Sequence, residues 1–577
     1  MIKKLKMLLM QKLQPLKNFL RENRIPLLVL LAVTLLAGNW LLRPGYFNMH
    51  DDLQMFRQLS MEECFKDGQI PCRWTRHMGY GFGYPLFNYY PPLPYLFGEV
   101  VRVLGFSYIT SVKIAFLFAF LASALTMYIF TKEFWGKTGG LLSAIFYTWA
   151  PYHSLDIYVR GAMNEAWALI WFPLILWSSY KLIEGKKFNQ VIVLALAWFA
   201  LLTSHNLMVL IFAPAFALWC LLWIIKNKSW KSIPLIALSG LWGIGLAGFF
   251  FFPVLLEKKF VQVDSLVAGY YNYIVHYVSL NQLLFSRFWG YGASVWLEDD
   301  DMGFQIGYLH WILPLVTGSL VFRDFLKNKK LTNVSLVTCF LLLAGWFAAF
   351  MAHSRSTFIW RSIPGLEFVQ FPWRFLTLVT LFFSSAVGSL VLFVKDKKKQ
   401  ALLIGVLTVA VVALNINYFK PEKMGPLTDE QKFSGLAYDL QQTSGIFDYL
   451  PNTAKTAPKA KQVAVAEVTD QTKGVILNSG QNSNTAWFDV DLKENVQIRI
   501  GILQFPGWTV YVDGVRANSY VDEKEEWGRI YVDVPTGKHS VKAKLENTPP
   551  RTVGNAVSVA SWLALLTVPF LRRRITV

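Results

Sequence analysis

The chain has 577 residues, of which 54% are hydrophobic, 16% aromatic and only 16% charged, with a formal net charge of +19. Soluble domains carry roughly 25% charged residues, so the composition excludes both a soluble enzyme and a disordered chain. The excess of lysine and arginine does not mark a nucleic-acid binder. These residues stand in short clusters between long uncharged blocks, the pattern of membrane spans joined by basic cytoplasmic loops.

Residues 1–25 read as a basic cytoplasmic segment that is retained rather than cleaved. Leu5, Leu8, Leu9 and Leu13, with Lys4 and Lys12 beside them, predict a helix lying on the membrane surface. About twelve spans of ~20 residues follow. They centre on 26–42, 111–130, 139–153, 164–183, 190–204, 206–225, 233–252, 307–322, 333–352, 373–394, 400–418 and 553–571. Lys132 and Lys137, Lys186 and Lys187, Lys226 to Lys231, Arg323 to Lys330, Lys395 to Lys399 and Arg572 to Arg574 occupy every second loop. The positive-inside rule makes those loops, and both termini, cytoplasmic. Loops 43–110, 153–163, 253–306 and 353–372 and the segment 419–552 then lie outside the cytoplasm.

The segment 419–460 reads as a polar linker. Residues 461–552 show short runs alternating between apolar and polar, punctuated by Gly, Asn and Asp, with a hairpin signal at Asp513-Gly514. The expected fold is a polytopic α-helical membrane domain (26–418) with long outer loops 43–110 and 253–306. An extracytoplasmic β-sandwich and a final span with a basic tail (553–577) complete it. Cys64 and Cys72 share the first outer loop and form either a disulfide or two separate thiols; Cys220 and Cys339 fall inside spans.

Residues that can carry chemistry cluster at the outer junctions. His50-Asp51-Asp52 follows the first span, where adjacent carboxylates serve as a general base, orient a divalent cation such as Mg or Mn, or form a solvated acidic pair. The run from Gly79 to Pro92 contains Tyr89 and Tyr90 and suits either stacking on sugars or an interfacial aromatic belt. Arg160 and Glu165 flank the start of a span, as a functional pair or a structural one. His205-Asn206 joins two spans and either donates to a substrate or is a satisfied junction. Arg374 lies in the first turn of a span, after Pro372, and reads as a phosphate ligand or as a side chain snorkelling to headgroups. Glu298 to Asp301 read as a solvated loop face. Asp448-Tyr449-Leu450-Pro451 lies in the linker, and nothing in the sequence argues that it folds over a site.

His50-Asp51-Asp52, the Gly-Tyr-Gly run ending Phe87-Asn88-Tyr89-Tyr90-Pro91-Pro92, Tyr158 to Glu165, Ser204-His205-Asn206 and Gln370 to Phe375 appear in that order. Together they resemble a family of bacterial and archaeal membrane proteins labelled 6-pyruvoyl-tetrahydropterin synthase-related. Phe505-Pro506-Gly507-Trp508 followed by Asp513-Gly514 resembles the outer domain of YfhO-like membrane proteins. The whole plan is similar to the GT-C class of glycosyltransferases. That resemblance implies a polyprenyl-phosphate sugar donor, a glycan, lipid or protein acceptor in the cell envelope, and a catalytic carboxylate at Asp51 or Asp52. No second DxD pair stands in 153–163, which departs from the metal-dependent members. The expected function is an integral membrane glycosyltransferase acting on the outer face of the cytoplasmic membrane, with Asp51, Asp52 and Glu165 as catalytic carboxylates. His50, Arg160, His205, Asn206, Arg374, Tyr89 and Tyr90 are the expected substrate contacts. A flippase for lipid-linked glycan and a non-catalytic assembly factor are the alternatives.

Overall fold

The computed structural model describes residues 14–575; the expected surface helix around Leu5 to Leu13 lies outside them. Seven helices among the described residues are long and apolar enough to cross a bilayer, or eight if the bent pair Trp230–Leu246 and Gly248–Phe260, broken by 82°, is one span. The chain is therefore a multi-pass membrane protein. Each of the twelve expected segments falls on helix, but the count of twelve spans does not follow. Arg24–Ala37 has only 14 residues before the chain breaks at Gly38, and Phe188–Ser204 has 17. The first is shorter than the ~17–25 residues that cross hydrocarbon, and the second stands at the lower end of that range. Hydropathy runs on through such breaks, whereas backbone geometry does not.

The element Tyr108–Thr148 spans 41 residues but is not one rod. Gly136 has φ 69° and ψ −177°, and the chain reverses there. Trp135 Nε1 (2.8 Å) and Ser143 Oγ (3.1 Å) both donate to the carbonyl of Ser385. Eight residues along a straight helix are about 12 Å apart, yet a Cβ on Gly140 would lie 2.9 Å from Lys132 Cα, so the two arms fold back on each other as a hairpin. The sequence expects two segments here, and the two arms of the hairpin are those segments.

The helices share a polarity of charge. Met163–Gly185 ends at Lys186, Phe188–Ser204 begins after Lys187, and Asn206–Lys226 ends in a lysine. Pro372–Phe393 runs toward Lys395. The opposite ends of the same four helices carry Glu165, His205, Asn206 and Arg374. One end of the bundle is thus basic loop, and the other holds the residues singled out above.

Nine strands follow the linker. β1 (Tyr46–Phe47) and β2 (Met424–Gly425) pair antiparallel earlier in the chain and tie the loop after the first helix to the start of the linker. β3 (Ala466–Val468), β6 (Val496–Leu503), β10 (Arg529–Val534) and β9 (Ser519–Tyr520) form a four-stranded sheet in the order β3-β6-β10-β9. β4 (Gly474–Gln481), β5 (Thr485–Leu492), β11 (Gly537–Leu545), β7 (Trp508–Val512) and β8 (Val515–Ala517) form a second sheet, in the order β4-β5-β11-β7-β8. Alternate residues of both sheets, among them Phe488, Val490, Ile498, Ile500, Ile530 and Val541, bury into one core, as a sandwich requires. Asp513 (φ 48°) and Gly514 (φ 80°) make the two-residue turn between β7 and β8, the hairpin geometry that an Asp-Gly pair favours. The sequence reading did not anticipate the short strands β8 and β9 of the sandwich, nor the pair β1 and β2.

The sandwich sits on the first long loop. Trp74 and Phe82 enter its core, Leu503 N–H donates to Phe82 O (3.0 Å), and Gln462 N–H donates to Tyr80 O (2.9 Å). Cys64 and Cys72 form a disulfide within that loop. A buried ion pair, Arg551 to Glu257 at 3.0 Å, joins the final helix Pro549–Ile575 to the helix Gly248–Glu257.

Candidate functional site

Backbone pairing places the first cluster. His50 N–H donates to Val159 O (3.0 Å) and Asp51 N–H to Arg160 O (2.9 Å), so 50–51 lies along 159–160. Gln54 Nε2 reaches Gly161 O (2.8 Å). Position 161 requires glycine: its φ is +61°, and a Cβ there would meet Met49 Sδ at 2.2 Å. Residues Leu155–Val159 form a π-helical turn, a wide turn that recurs at functional sites. It carries Asp156 and delivers Arg160 at its end.

These segments, the helix starts at Glu165, Asn206 and Arg374, and residues 266–271 and 444–449 enclose a cavity of about 440 Å³. His50, Asp51, Arg57, Tyr90, Arg160, Glu165, His205, Asn206, Arg374 and Asp448 all line it. A larger cleft of about 820 Å³ lies between Leu41 to Gly45 and Ser107 to Leu117. Its lysine, Lys113, is already bonded to the carbonyls of Arg43 and Gly45, Asp429 accepts from the N–H groups of Tyr108 and Ile109, and Arg43 is the one arginine in its lining, against three in the smaller cavity. The smaller cavity is the candidate site because that is where the charges meet.

Glu165 organises the charges. Its side chain is 1% exposed; Oε1 accepts from Tyr152 Oη (2.6 Å), and Oε2 lies 2.9 Å from Arg160 Nη1 and 3.4 Å from Arg374 Nε. Arg160 also bonds Asp156 and lies 4.5 Å from the centre of the Trp373 ring. Arg374 Nη1 donates to Val369 O (2.7 Å) and Gln370 Oε1 (2.9 Å), and its guanidinium stands 4.9 Å from the Phe371 ring. On the facing wall Asp51 Oδ2 accepts from Arg57 Nη1 (2.6 Å) and Gln54 Nε2 (3.0 Å), and Arg57 stacks 4.2 Å from the Tyr90 ring. Three guanidiniums (Arg57, Arg160, Arg374) thus meet three lining carboxyls (Asp51, Glu165, Asp448).

His50 is held neutral. Burial lowers its pKa, and Arg160 adds to that against the opposing carbonyl of Tyr291. Its Nε2 sits 2.8 Å from Tyr291 O. A carbonyl only accepts, so Nε2 carries the proton and Nδ1 is left as the acceptor.

Two expected site residues lie off the cavity. Asp52 turns away to Lys432 of the linker; burial raises its pKa and Lys432 opposes the rise. Tyr89 donates through its hydroxyl to Glu257 O (2.7 Å) and stacks on Tyr449 with 5.3 Å between ring centres. Within the acidic run of the 253–306 loop, Asp300 serves the loop itself: it accepts from Val295 N–H (2.6 Å) and Gln282 Nε2 (2.8 Å). Asp51 and Asp52 do not fit a shared divalent ion, because each carboxylate already faces a protein cation, Arg57 or Lys432. Among the described residues, no group of three or more His, Cys, Asp or Glu side chains is arranged to hold a metal.

Sequence reasoning missed Arg57, Asp156 and the place of Asp448. Asp156 stands four residues before Arg160, a helical spacing that pairs opposite charges. That signal was legible. Arg57 lies in the helix Gln54–Lys66, whose mixed sequence does not distinguish it from a surface arginine.

No protein-family model matches the chain. An uncharacterized protein of Lactococcus lactis subsp. cremoris (strain MG1363) is 25% identical over 349 residues, 57% of this chain and 54% of that protein. The chain thus spans about half the length of this curated relative. The crystal structure of the Archaeoglobus fulgidus oligosaccharyltransferase, tethered to an acceptor peptide with an NVT sequon, aligns over 70% of this chain and 56% of its own. Its TM-score is 0.40 and its identity 11%.

Proposed function

We propose that the protein is a membrane glycosyltransferase of GT-C-like plan. It transfers a sugar from a polyprenyl-phosphate donor to a cell-envelope acceptor at the 440 Å³ cavity. The observation that carries the reading is the convergence of Asp51, Arg160 and Arg374 on that cavity, at the helix ends opposite the basic loops. In this reading the basic ends are cytoplasmic under the positive-inside rule. The cavity then opens on the extracytoplasmic side of the cell membrane, where lipid-linked donors present their headgroups.

Transfer needs two services. The departing lipid phosphate gains negative charge as the bond to the sugar breaks, and Arg160 and Arg374 supply preorganised donors for it. Glu165 positions both guanidiniums; with its oxygens taken by Tyr152 and these arginines, it is not a free nucleophile. The acceptor hydroxyl loses a proton to a cavity carboxylate, and Asp51 is the one that the GT-C resemblance implies. A single displacement inverts the anomeric carbon, whereas retention needs a second carboxylate as nucleophile. Inverted product is expected.

The test is transfer of labelled sugar from a polyprenyl-phosphate donor by purified protein in proteoliposomes. Arg160→Gln and Arg374→Gln should each lower turnover by about 10²-fold or more. Headgroup translocation without transfer, indifferent to both substitutions, would instead make the protein a flippase. Neither activity would leave an assembly factor.

A further inference from the structure

The cavity holds a carboxyl from the far end of the chain. After the helix Gly435–Thr443, residues 444–451 cross back to the site, and Ser444, Gly445, Asp448 and Tyr449 line it. The segment is tied down on both sides. Tyr84 Oη donates to Gly445 O (2.8 Å) and accepts from Tyr449 N–H (2.5 Å). Ser265 Oγ donates to Phe447 O (2.9 Å), and Gln262 N–H donates to Leu450 O (2.9 Å). Tyr449 stacks on Tyr89. These bonds go to backbone or to rings and leave the Asp448 carboxyl free: among the described residues it has no ion pair within 4 Å and accepts no hydrogen bond from a side chain or an N–H. Asp51, by contrast, has Oδ2 committed to Arg57 and Gln54.

We propose that Asp448 is the catalytic base of the transfer, and that residues 444–451 form the acceptor-side wall of the cavity. The proposal rests on the transferase reading. In the step it describes, the acceptor O–H proton passes to the Asp448 carboxylate and the acceptor oxygen bonds the anomeric carbon. The bond from that carbon to the phosphate oxygen breaks, and its electron pair leaves on the lipid phosphate beside Arg160 and Arg374. Asp51 becomes a positioning residue that holds Arg57 against Tyr90.

The charged and titratable groups facing Asp448 are Arg57 and Asp51 from the first loop, Tyr84 from the glycine-rich run, Tyr271 from the 253–306 loop, and its neighbour Tyr449. Burial pushes the carboxyl up to about 6, Arg57 opposing and Asp51 adding. A base in that range is mostly ionised at pH 7 yet strong enough to take a proton, the compromise that general-base catalysis favours.

The experiment uses full-length protein in proteoliposomes with labelled polyprenyl-phosphate sugar, over pH 4.5–8.5. Wild type should show kcat rising through an acidic limb near pH 6. Asp448→Asn should lower kcat by about 10²-fold or more, leave the KM for donor within about twofold, as expected when only a transition-state role is lost, and abolish the limb. Asp448→Glu should restore part of the rate with a displaced limb, which also decides the matter if the Asn variant fails to fold. Asn turnover within about threefold of wild type, or an unchanged limb, would overturn the base assignment and leave the transferase reading standing. A wild type that transfers no sugar would overturn both.

Discussion

The β-sandwich and the cavity spend charge in opposite ways. In the sandwich, Glu525 is saturated: Arg529 binds it twice (2.9 and 3.0 Å), Tyr531 donates at 2.6 Å, and the core between the sheets is apolar. In the cavity, Arg160 and Arg374 share Glu165, the Nδ1 of His205 has no partner, and Asp448 has no donor. Polar groups buried without full satisfaction cost stability and survive where chemistry needs them. The sandwich has orphaned polar atoms of its own, among them Arg499 Nε and Trp508 Nε1; what sets the cavity apart is that its orphans lie among converging guanidiniums and carboxyls.

Breaking the organiser on one side and the core on the other should cost the most. Glu165→Ala strips two buried guanidiniums of their shared partner and should destabilise by about 3–5 kcal/mol, read as a large fall in Tm in detergent, with sugar transfer lost. Phe488→Ala empties a fully packed site between the sheets and should cost about 3–5 kcal/mol, yet leave transfer per folded molecule unchanged. Equal loss of turnover in both variants would erase the distinction.

Asp448→Asn should move stability the other way. The carboxyl sits near 6 in the fold against 3.8 when free. The cost of ionising it therefore sets in above about pH 4 and is complete above about pH 6. At pH 7.5 the substitution should stabilise by about 2–3 kcal/mol, and at pH 4 it should do nothing; thermal melts at the two pH values check this. The smallest effect is expected in the sandwich. Gly514→Ala at φ 80° should cost about 1 kcal/mol, measured by the melting of that transition, with transfer intact.

Much of this architecture was legible in the sequence because its signals are local. Apolar blocks, alternating basic loops, period-two strands and the Asp513-Gly514 turn each act within a few residues, and the helix ends bearing Glu165, His205 and Arg374 follow from them. What failed was anything set by distant packing. Span counting went beyond what the backbone shows at Arg24–Ala37 and Phe188–Ser204, because composition does not report where a helix breaks. Asp51 and Asp52 are indistinguishable in sequence, and only Lys432, far along the chain, draws one of them out of the cavity. Arg57 and Asp448 were invisible as site residues because only the fold brings the first loop, residues 444–449, Arg160 and Arg374 to the one cavity that they line.

The most direct measurement is the position of a bound short-chain polyprenyl phosphate by cryo-electron microscopy. The account predicts phosphate density within hydrogen-bond reach of Arg160 and Arg374 in the 440 Å³ cavity, with the prenyl chain running between helices from there. Phosphate density in the cleft beside Arg43 and Lys113, or at the basic ends of the helices, would contradict it.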